Sequence, residues 1–321
     1  MFSILRKLWL LAGIWGLAAT GWAASPLVSP AELQALAQAG AVRIVDVRDA
    51  EAYALQHLPG AVSAPYARWR GPATNPGLVP PLPELTALVQ ELGLTPDTRT
   101  VLVYTGTDSS DFATAARSYW TLKSLGVKDL SILHGGLNAW RGAGLAVSDQ
   151  AARARRSDWR PSFNPQWLAT RAQVRQLLGN GQAVLVDSRP APFYQGKIAH
   201  DAAKARGTLP GAINLDSDLY FELGSAVLMD KASLEGEADA AHAEPGQTVV
   251  TFCNAGHWSA TDWFVRSELL GQQHVKLYPG SVIDWSQAPE PLPMINEPGR
   301  LDKLQHQLVT WVHRNLNGKT P

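Results

Sequence analysis

The chain lacks the residues on which several classes of protein depend. Of its 321 residues one is cysteine, which excludes an intramolecular disulfide and a cysteine-based metal cluster. Basic and acidic side chains number 28 each, so no net charge is available at pH 7 to attract nucleic acid or an anionic membrane. The eight histidines show no metal-ligand spacing such as His-Glu-x-x-His, and no glycine-rich nucleotide fingerprint follows a predicted strand. We therefore expect no metal, no cofactor and no nucleic-acid partner.

The N-terminal residues have the pattern of an export signal. Arg6 and Lys7 precede the uncharged apolar run Leu8–Ala19, and small residues surround a cleavage site after Ala23. The run is too short to span a bilayer comfortably, so we expect cleavage, a periplasmic mature protein and no remaining membrane contact. The alternative is an uncleaved anchor that uses the charge-free stretch to Ala31. In an oxidising compartment a single unpaired cysteine is at risk of oxidation, so its presence there calls for a function.

The rest of the chain is an internal repeat. Apolar residues make up 45% of the whole sequence, which is ordinary for a globular protein. The copies lie about 145 residues apart and their matching segments keep the same order. The matches are the capping boxes Ser29–Glu32 and Thr170–Gln173, the turns Asp46-Val-Arg48 and Asp187-Ser-Arg189, the segments Leu58–Ala61 and Leu209–Ala212, and the strands Thr100–Thr105 and Thr248–Cys253. The second copy has a ten-residue insertion before Leu209.

Each copy alternates helical patterns with short β-branched strands, which predicts an α/β fold with a parallel sheet flanked by helices on both faces. The predicted organisation is a signal peptide over 1–23, a first domain without cysteine over 26–147, a linker over 148–168, a second domain over 169–296 and a helical extension over 297–321. We interpret the arginines of the linker as solvated rather than as an anion site. The apolar stripe Leu301, Leu304, Leu308, Trp311, Val312 and Leu316 predicts a helix docked on the core.

The chemistry is concentrated in one loop between the predicted strand Val249–Phe252 and a helix beginning near Trp258. Its residues are Cys253, Asn254, Ala255, Gly256, His257, Trp258 and Ser259. Such a loop can turn its backbone N–H groups inward, and the helix N-terminus adds partial positive charge, so both features favour an anionic, nucleophilic sulfur. The alternative is a buried, inert cysteine. His257 either assists the thiolate or donates a proton, or else it is a solvent-facing loop residue.

These features together resemble the tandem rhodanese-domain sulfurtransferases, the thiosulfate and 3-mercaptopyruvate sulfurtransferase family. Besides the paired turns, the resemblance rests on Gly256 three residues after Cys253 and on Asn138-Ala-Trp140 and Asp284-Trp285 near the ends of the copies. It implies a ping-pong reaction in which Cys253 takes sulfur from a small donor as a persulfide. The sulfur then passes to cyanide, a thiol or a protein acceptor. In the family, too, only the second copy carries the cysteine.

The loop departs from the family's pattern where positive charge is expected. Asn254 and Ala255 follow the cysteine where basic residues are common, and Phe193 stands where an arginine often follows the second turn. The insertion, however, supplies Lys197, Lys204 and Arg206, which we predict to bind the anionic donor. Asp187 and Arg189 are interpreted as a structural ion pair that fixes the turn.

Three other functions are weighed against sulfur transfer. A cysteine phosphatase needs an arginine six residues after the cysteine, and position 259 is serine. A redox thiol usually needs a resolving cysteine, which the chain lacks. The third alternative remains open: a sulfur carrier or partner-binding module that does not catalyse turnover and uses the first copy as its docking surface.

Overall fold

The computed structural model describes residues 25–299, in which each copy of the repeat forms a parallel sheet with helices on both faces. This confirms the predicted α/β class and the two-domain repeat. The predictions of a signal peptide and of a C-terminal helix from Leu301 to Leu316 fall outside the described residues. Within residues 25–299 no helix is long and apolar enough to span a membrane.

The first half carries a five-stranded sheet in the order β1-β5-β4-β2-β3, with all neighbours parallel. Its strands are β1 (Leu27–Val28), β2 (Arg43–Asp46), β3 (Val62–Ser63), β4 (Thr100–Val103) and β5 (Leu130–Leu133). Its helices are α1 (Pro30–Gln38), α2 (Ala50–Leu55), α3 (Leu82–Glu91), α4 (Ser109–Leu125) and α5 (Gly136–Gly142).

The second half carries a four-stranded parallel sheet in the order β7-β6-β8-β9. Its strands are β6 (Ala183–Asp187), β7 (Ile213–Asn214), β8 (Thr248–Phe252) and β9 (Val275–Leu277). Its helices are α6 (Arg171–Leu177), α7 (Ala191–Tyr194), α8 (Lys231–Asp239), α9 (Trp258–Phe264) and α10 (Ser281–Ser286). A π-helical turn, Val265–Leu269, continues α9.

Local sequence explains where these elements begin. Ser29 accepts a hydrogen bond from the Glu32 N–H while Glu32 reaches back to Ser29, and Thr170 and Gln173 repeat this capping box at α6. The central strands are apolar on both faces because helices cover both. In β4, for example, Leu102 belongs to one apolar cluster, whereas its neighbours Val101 and Val103 belong to another.

The two halves share one of these apolar clusters. Helix α4 of the first half packs against α9 of the second, and the ring of Phe264 lies 5.7 Å from that of Phe112 and 5.0 Å from that of Tyr119. At the edge of this contact Lys123 forms a 2.7 Å ion pair with Glu268. The predicted catalytic loop, which immediately precedes α9, is therefore placed against the first half.

Candidate active site

Cys253 lies at the carboxyl end of β8, where loops of parallel sheets commonly bind ligands. Its side chain is buried, with 1% of the residue exposed. The Sγ atom accepts a hydrogen bond from the backbone N–H of His257 at 3.2 Å. One backbone amide of the loop is therefore directed at the sulfur.

Helix α10 holds the loop from beneath. The backbone N–H of Val282 donates to the Cys253 carbonyl, and that of Ile283 donates to the Asn254 carbonyl, both at 3.1 Å. The Ser281 hydroxyl accepts from the N–H groups of Cys253 and Gly256, at 3.0 and 3.1 Å. It donates in turn to the Tyr278 carbonyl. These bonds fix the loop on both sides of the cysteine.

Ser281 adopts a backbone conformation that side chains rarely tolerate, with φ of 55°. The corresponding residue of the first half is Gly136, with φ of 62°. A serine that replaces glycine at a strained position is a mark of a functional site, because the hydroxyl must compensate the strain. Sequence reasoning missed Ser281, although comparison of the two copies at this position offered the signal.

The first half contributes four further side chains to the loop, and no sequence pattern predicted any of them. They are Tyr66, Arg70, Ser110 and Arg117. Arg70 donates to the Ala255 carbonyl at 3.2 Å, and Arg117 donates to the Gly256 carbonyl at 3.0 Å. Two of the cations that contact the catalytic loop, Arg70 and Arg117, therefore come from the half without a cysteine.

His257 is held at both ring nitrogens, so the alternative of a free, solvent-facing histidine is wrong. Nδ1 lies 2.8 Å from the Tyr66 hydroxyl, and Nε2 lies 3.1 Å from that of Ser110. Burial, with smaller effects of Arg70 and Arg117, lowers the pKa of His257 to about 3. The ring is therefore neutral at physiological pH, and the contact of this residue with the sulfur is through its backbone.

Trp258 and Phe193 form an apolar edge beside the loop. The Trp258 indole N–H donates to the Ser110 hydroxyl at 3.1 Å, and its ring meets that of Phe193 edge-on at 5.8 Å. Ser259, the last residue of the loop, is buried, and its hydroxyl has no hydrogen-bond partner among the described residues.

Asp187 and Arg189 form the ion pair interpreted above as structural. The Arg189 guanidinium meets the Asp187 carboxylate at 2.6 and 2.8 Å, and both residues are buried. Arg189 also donates to the Asn254 side chain at 3.2 Å. The pair therefore fixes its own turn and positions the residue that follows the cysteine.

The three basic residues of the insertion form hydrogen bonds outside the catalytic loop. Arg206 donates to the Lys197 carbonyl, and the backbone N–H of Lys204 donates to the Ser286 hydroxyl at the end of α10. In residues 25–299 no hydrogen bond or ion pair joins Lys197, Lys204 or Arg206 to the Cys253 loop. Their role in donor binding stays a prediction.

The corresponding loop of the first half is closed by its own carboxylate. Asp111 accepts hydrogen bonds from the N–H groups of Gly106 and Thr107, at 2.6 and 3.0 Å, and from the Thr107 hydroxyl. The aligned strands of the two copies predict Thr105 at the position of the cysteine. The sheet registers place Tyr104 there instead, because Val103 pairs with Asp46 as Phe252 pairs with Asp187. Backbone N–H groups that would attract an anion in this loop are already bound.

No group of histidine, cysteine or acidic side chains in the described part of the chain is arranged to hold a metal ion.

Comparison with known proteins agrees with this architecture. A family model described as "Rhodanese-like domain" matches residues 29–143 and 170–288. A thiosulfate sulfurtransferase of Azotobacter vinelandii is 30% identical over 84% of this chain and 97% of its own. A probable 3-mercaptopyruvate sulfurtransferase of Pseudomonas aeruginosa is 31% identical over 74% of this chain and 83% of its own.

A solved structure supports the fold independently. The 3-mercaptopyruvate sulfurtransferase SseA of Escherichia coli superposes with a TM-score of 0.71, at 23% identity, over 80% of this chain and 98% of its own. Two matching domains in tandem, together with relatives that align along most of the chain, show that the protein belongs to the rhodanese family of sulfurtransferases.

Proposed function

We propose that the protein transfers sulfane sulfur from a small anionic donor, of the thiosulfate or 3-mercaptopyruvate type, to a thiophilic acceptor such as cyanide or a thiol. The observation that carries this proposal is the geometry of Cys253. The lone thiol of the chain ends a strand, is held inside a braced loop and receives a backbone N–H on its sulfur. The names of the relatives support the donor class.

The first step forms a persulfide on Cys253. The thiolate attacks the outer sulfur of thiosulfate, a new sulfur–sulfur bond forms, and sulfite leaves with the electron pair of the bond that breaks. With 3-mercaptopyruvate the carbon–sulfur bond breaks instead, and the departing pyruvate enolate takes a proton. Donation from the His257 N–H favours the anionic sulfur before and after this step.

The second step returns the cysteine to its starting state. Cyanide attacks the outer sulfur of the persulfide, a carbon–sulfur bond forms, and the Cys253 thiolate leaves. A thiol acceptor follows the same course and becomes a persulfide itself. The neutral His257 ring provides no positive charge for these anions. The cations that contact the loop are Arg70, Arg117 and Arg189.

Mass spectrometry of the intact chain tests the proposal. Treatment with thiosulfate or mercaptopyruvate should add the mass of one sulfur atom, and cyanide should remove it with release of thiocyanate. Cys253→Ala and Cys253→Ser should show neither reaction. Thr105→Ala, which alters the corresponding loop of the first half, should show both.

Two results would contradict the enzyme assignment. Persulfide formation in either Cys253 variant would remove the cysteine from the mechanism. A persulfide that forms in the unaltered protein but is discharged only by another protein, with no turnover of small acceptors, would favour the sulfur-carrier function instead.

We propose also that the chain is exported to the periplasm and loses its first 23 residues. The basic start, the short apolar run and the small residues before position 24 support this proposal. The N-terminal sequence and intact mass of protein from the periplasmic fraction test it. A chain that retains Met1 in the membrane fraction would show an uncleaved anchor.

A further inference from the structure

Arg117 is a buried cation without a carboxylate partner. It lies in α4 of the first half, and none of its surface is exposed. Its guanidinium donates to the carbonyls of Gly256 and Gly77, at 3.0 and 2.9 Å, and among residues 25–299 it takes part in no ion pair. Burial of a guanidinium without a counter-charge is costly, so this arrangement requires an explanation.

The peptide that Arg117 holds is the one that contacts the nucleophile. The Gly256 carbonyl and the His257 N–H belong to one planar trans peptide and point in opposite directions. Arg117 donates to this carbonyl, while the N–H on the other side donates to the Cys253 sulfur at 3.2 Å. The guanidinium therefore orients this peptide and polarises its N–H toward the sulfur.

The next peptide along the loop is held in the same way. Arg70 donates to the Ala255 carbonyl, and the N–H of that peptide, on Gly256, donates to the Ser281 hydroxyl. Arg70 likewise forms no ion pair within the described residues. Two guanidinium groups without an ion-pair partner among the described residues thus bind consecutive carbonyls of the loop. The N–H groups of the same two peptides face the Cys253 sulfur and the Ser281 hydroxyl.

Gly256 makes the close approach of Arg117 possible. A Cβ at this position would lie 2.6 Å from an Arg117 nitrogen and 2.6 Å from the Pro279 backbone, and φ is 62°. Burial, with a smaller effect of Arg70, lowers the pKa of Arg117 to about 10, while Tyr66 and, more weakly, the Cys253 sulfur act in the opposite direction. The guanidinium is therefore charged at neutral pH, and the Cys253 sulfur favours that charge.

We propose that Arg117 is a positioning residue for Cys253, contributed by the half without a cysteine. It holds the 256–257 peptide with its N–H on the sulfur, and its charge stabilises the thiolate and the persulfide anion. The proposal rests on the assignment of Cys253 as the sulfur-transferring residue. It makes the first half an electrostatic part of the active site, because the counter-charge of the nucleophile is buried between the halves.

The test compares three variants of the full chain by pH titration of the thiolate ultraviolet absorbance. Because the chain has one cysteine, the signal belongs to Cys253 alone, and Cys253→Ser supplies the blank. In Arg117→Met the midpoint should move up by about one pH unit, because the thiolate loses the guanidinium charge that favours it. Arg117→Lys keeps the charge but loses the planar set of guanidinium N–H donors. Its midpoint should lie between those of Arg117→Met and the unaltered protein.

Lys123→Met is the matched control, because it removes another cation of α4 that bonds across the halves, to Glu268. It should titrate like the unaltered protein. A folded Arg117→Met that does the same would overturn the proposal. If Arg117→Met does not fold, an Arg117→Lys protein with an unchanged midpoint and an unchanged rate of persulfide formation overturns it.

The titration needs no sulfur donor, so the two proposals fail separately. A midpoint that moves in a protein that never forms a persulfide with thiosulfate or mercaptopyruvate would refute the sulfurtransferase function alone. Persulfide formation at an unchanged rate in Arg117→Met would refute the positioning role alone.

Discussion

At the scale of single residues, Ser281 shows how a strained backbone and a hydrogen-bonding side chain depend on each other. Its hydroxyl accepts two loop N–H groups that would otherwise be buried without partners. Leaving such groups unpaired costs about 1 to 3 kcal/mol, whereas glycine at a positive φ relieves about 1 kcal/mol of strain. The two terms can be separated by substitution.

We expect Ser281→Ala to lower the melting temperature more than Ser281→Gly, since alanine loses the hydroxyl and keeps the strain. Both should reduce kcat/KM, by about tenfold, because both free the amide of Cys253. Thermal unfolding and steady-state kinetics with thiosulfate give the two readouts. Equal melting temperatures would show that φ at this position stores no strain.

His257 predicts a pH dependence of stability. Its pKa is lowered from 6.5 to about 3 in the folded protein, so between these values the unfolded chain binds a proton that the folded chain does not. The contribution of His257 to the free energy of unfolding is therefore fully present above pH 6.5. It is lost as the pH falls, by at most about 1.4 kcal/mol per pH unit.

His257→Gln should flatten this dependence between pH 4 and 6.5 in denaturant titrations. Burial also lowers the pKa of His134, which acts in the same direction and stays in the variant as an internal control. A variant whose stability falls as steeply as that of the unaltered protein would show that the His257 ring is protonated without penalty.

At the scale of elements, the strands, the capped helices and the catalytic loop could be predicted from the sequence, because each is encoded locally. Ser29 and Thr170 mark helix starts, and the run Thr248–Phe252 marks the strand that ends at the cysteine. The contacts of Arg117 and Tyr66 could not be predicted. They depend on how the two halves dock, and the spacing within each copy carries no information about docking.

The insertion is the element that the sequence predicts to bind the anionic donor, and kinetics of its variants test this prediction. We expect Arg206→Ala and Lys204→Ala to lower kcat/KM for thiosulfate and mercaptopyruvate by about 5- to 150-fold, the loss of one ionic contact. A neutral organic persulfide should be unaffected. Arg175→Ala, an exposed cation on α6, is the control. If all three variants behave alike, the insertion is not the donor site.

At the scale of the whole molecule, the halves are similar in fold and opposite in electrostatics. The loop of the first half binds its own carboxylate, from Asp111, with the N–H groups of Gly106 and Thr107. The loop of the second half is held by guanidinium groups of its neighbour. One apolar cluster is built from residues of both halves.

Tyr104→Cys, at the position that the sheet register matches to Cys253, should therefore create no second active site. The new thiol would face a loop whose N–H groups are occupied and whose charge is negative, so its thiolate is disfavoured. Tested in a Cys253→Ser background, this variant should form no persulfide with thiosulfate. Turnover comparable to that of the unaltered protein would show that the Asp111 carboxylate does not block the loop.

Gly77 of the first half lies directly against the catalytic loop of the second half. A Cβ there would lie 2.1 Å from the Pro279 carbonyl oxygen and 3.1 Å from the Ala255 backbone, so no larger residue fits without displacing the catalytic loop. The half without a nucleophile is therefore constrained in sequence by the catalytic loop of the other half. In a saturation-mutagenesis screen for sulfur transfer, position 77 should tolerate as few substitutions as the loop of the other copy.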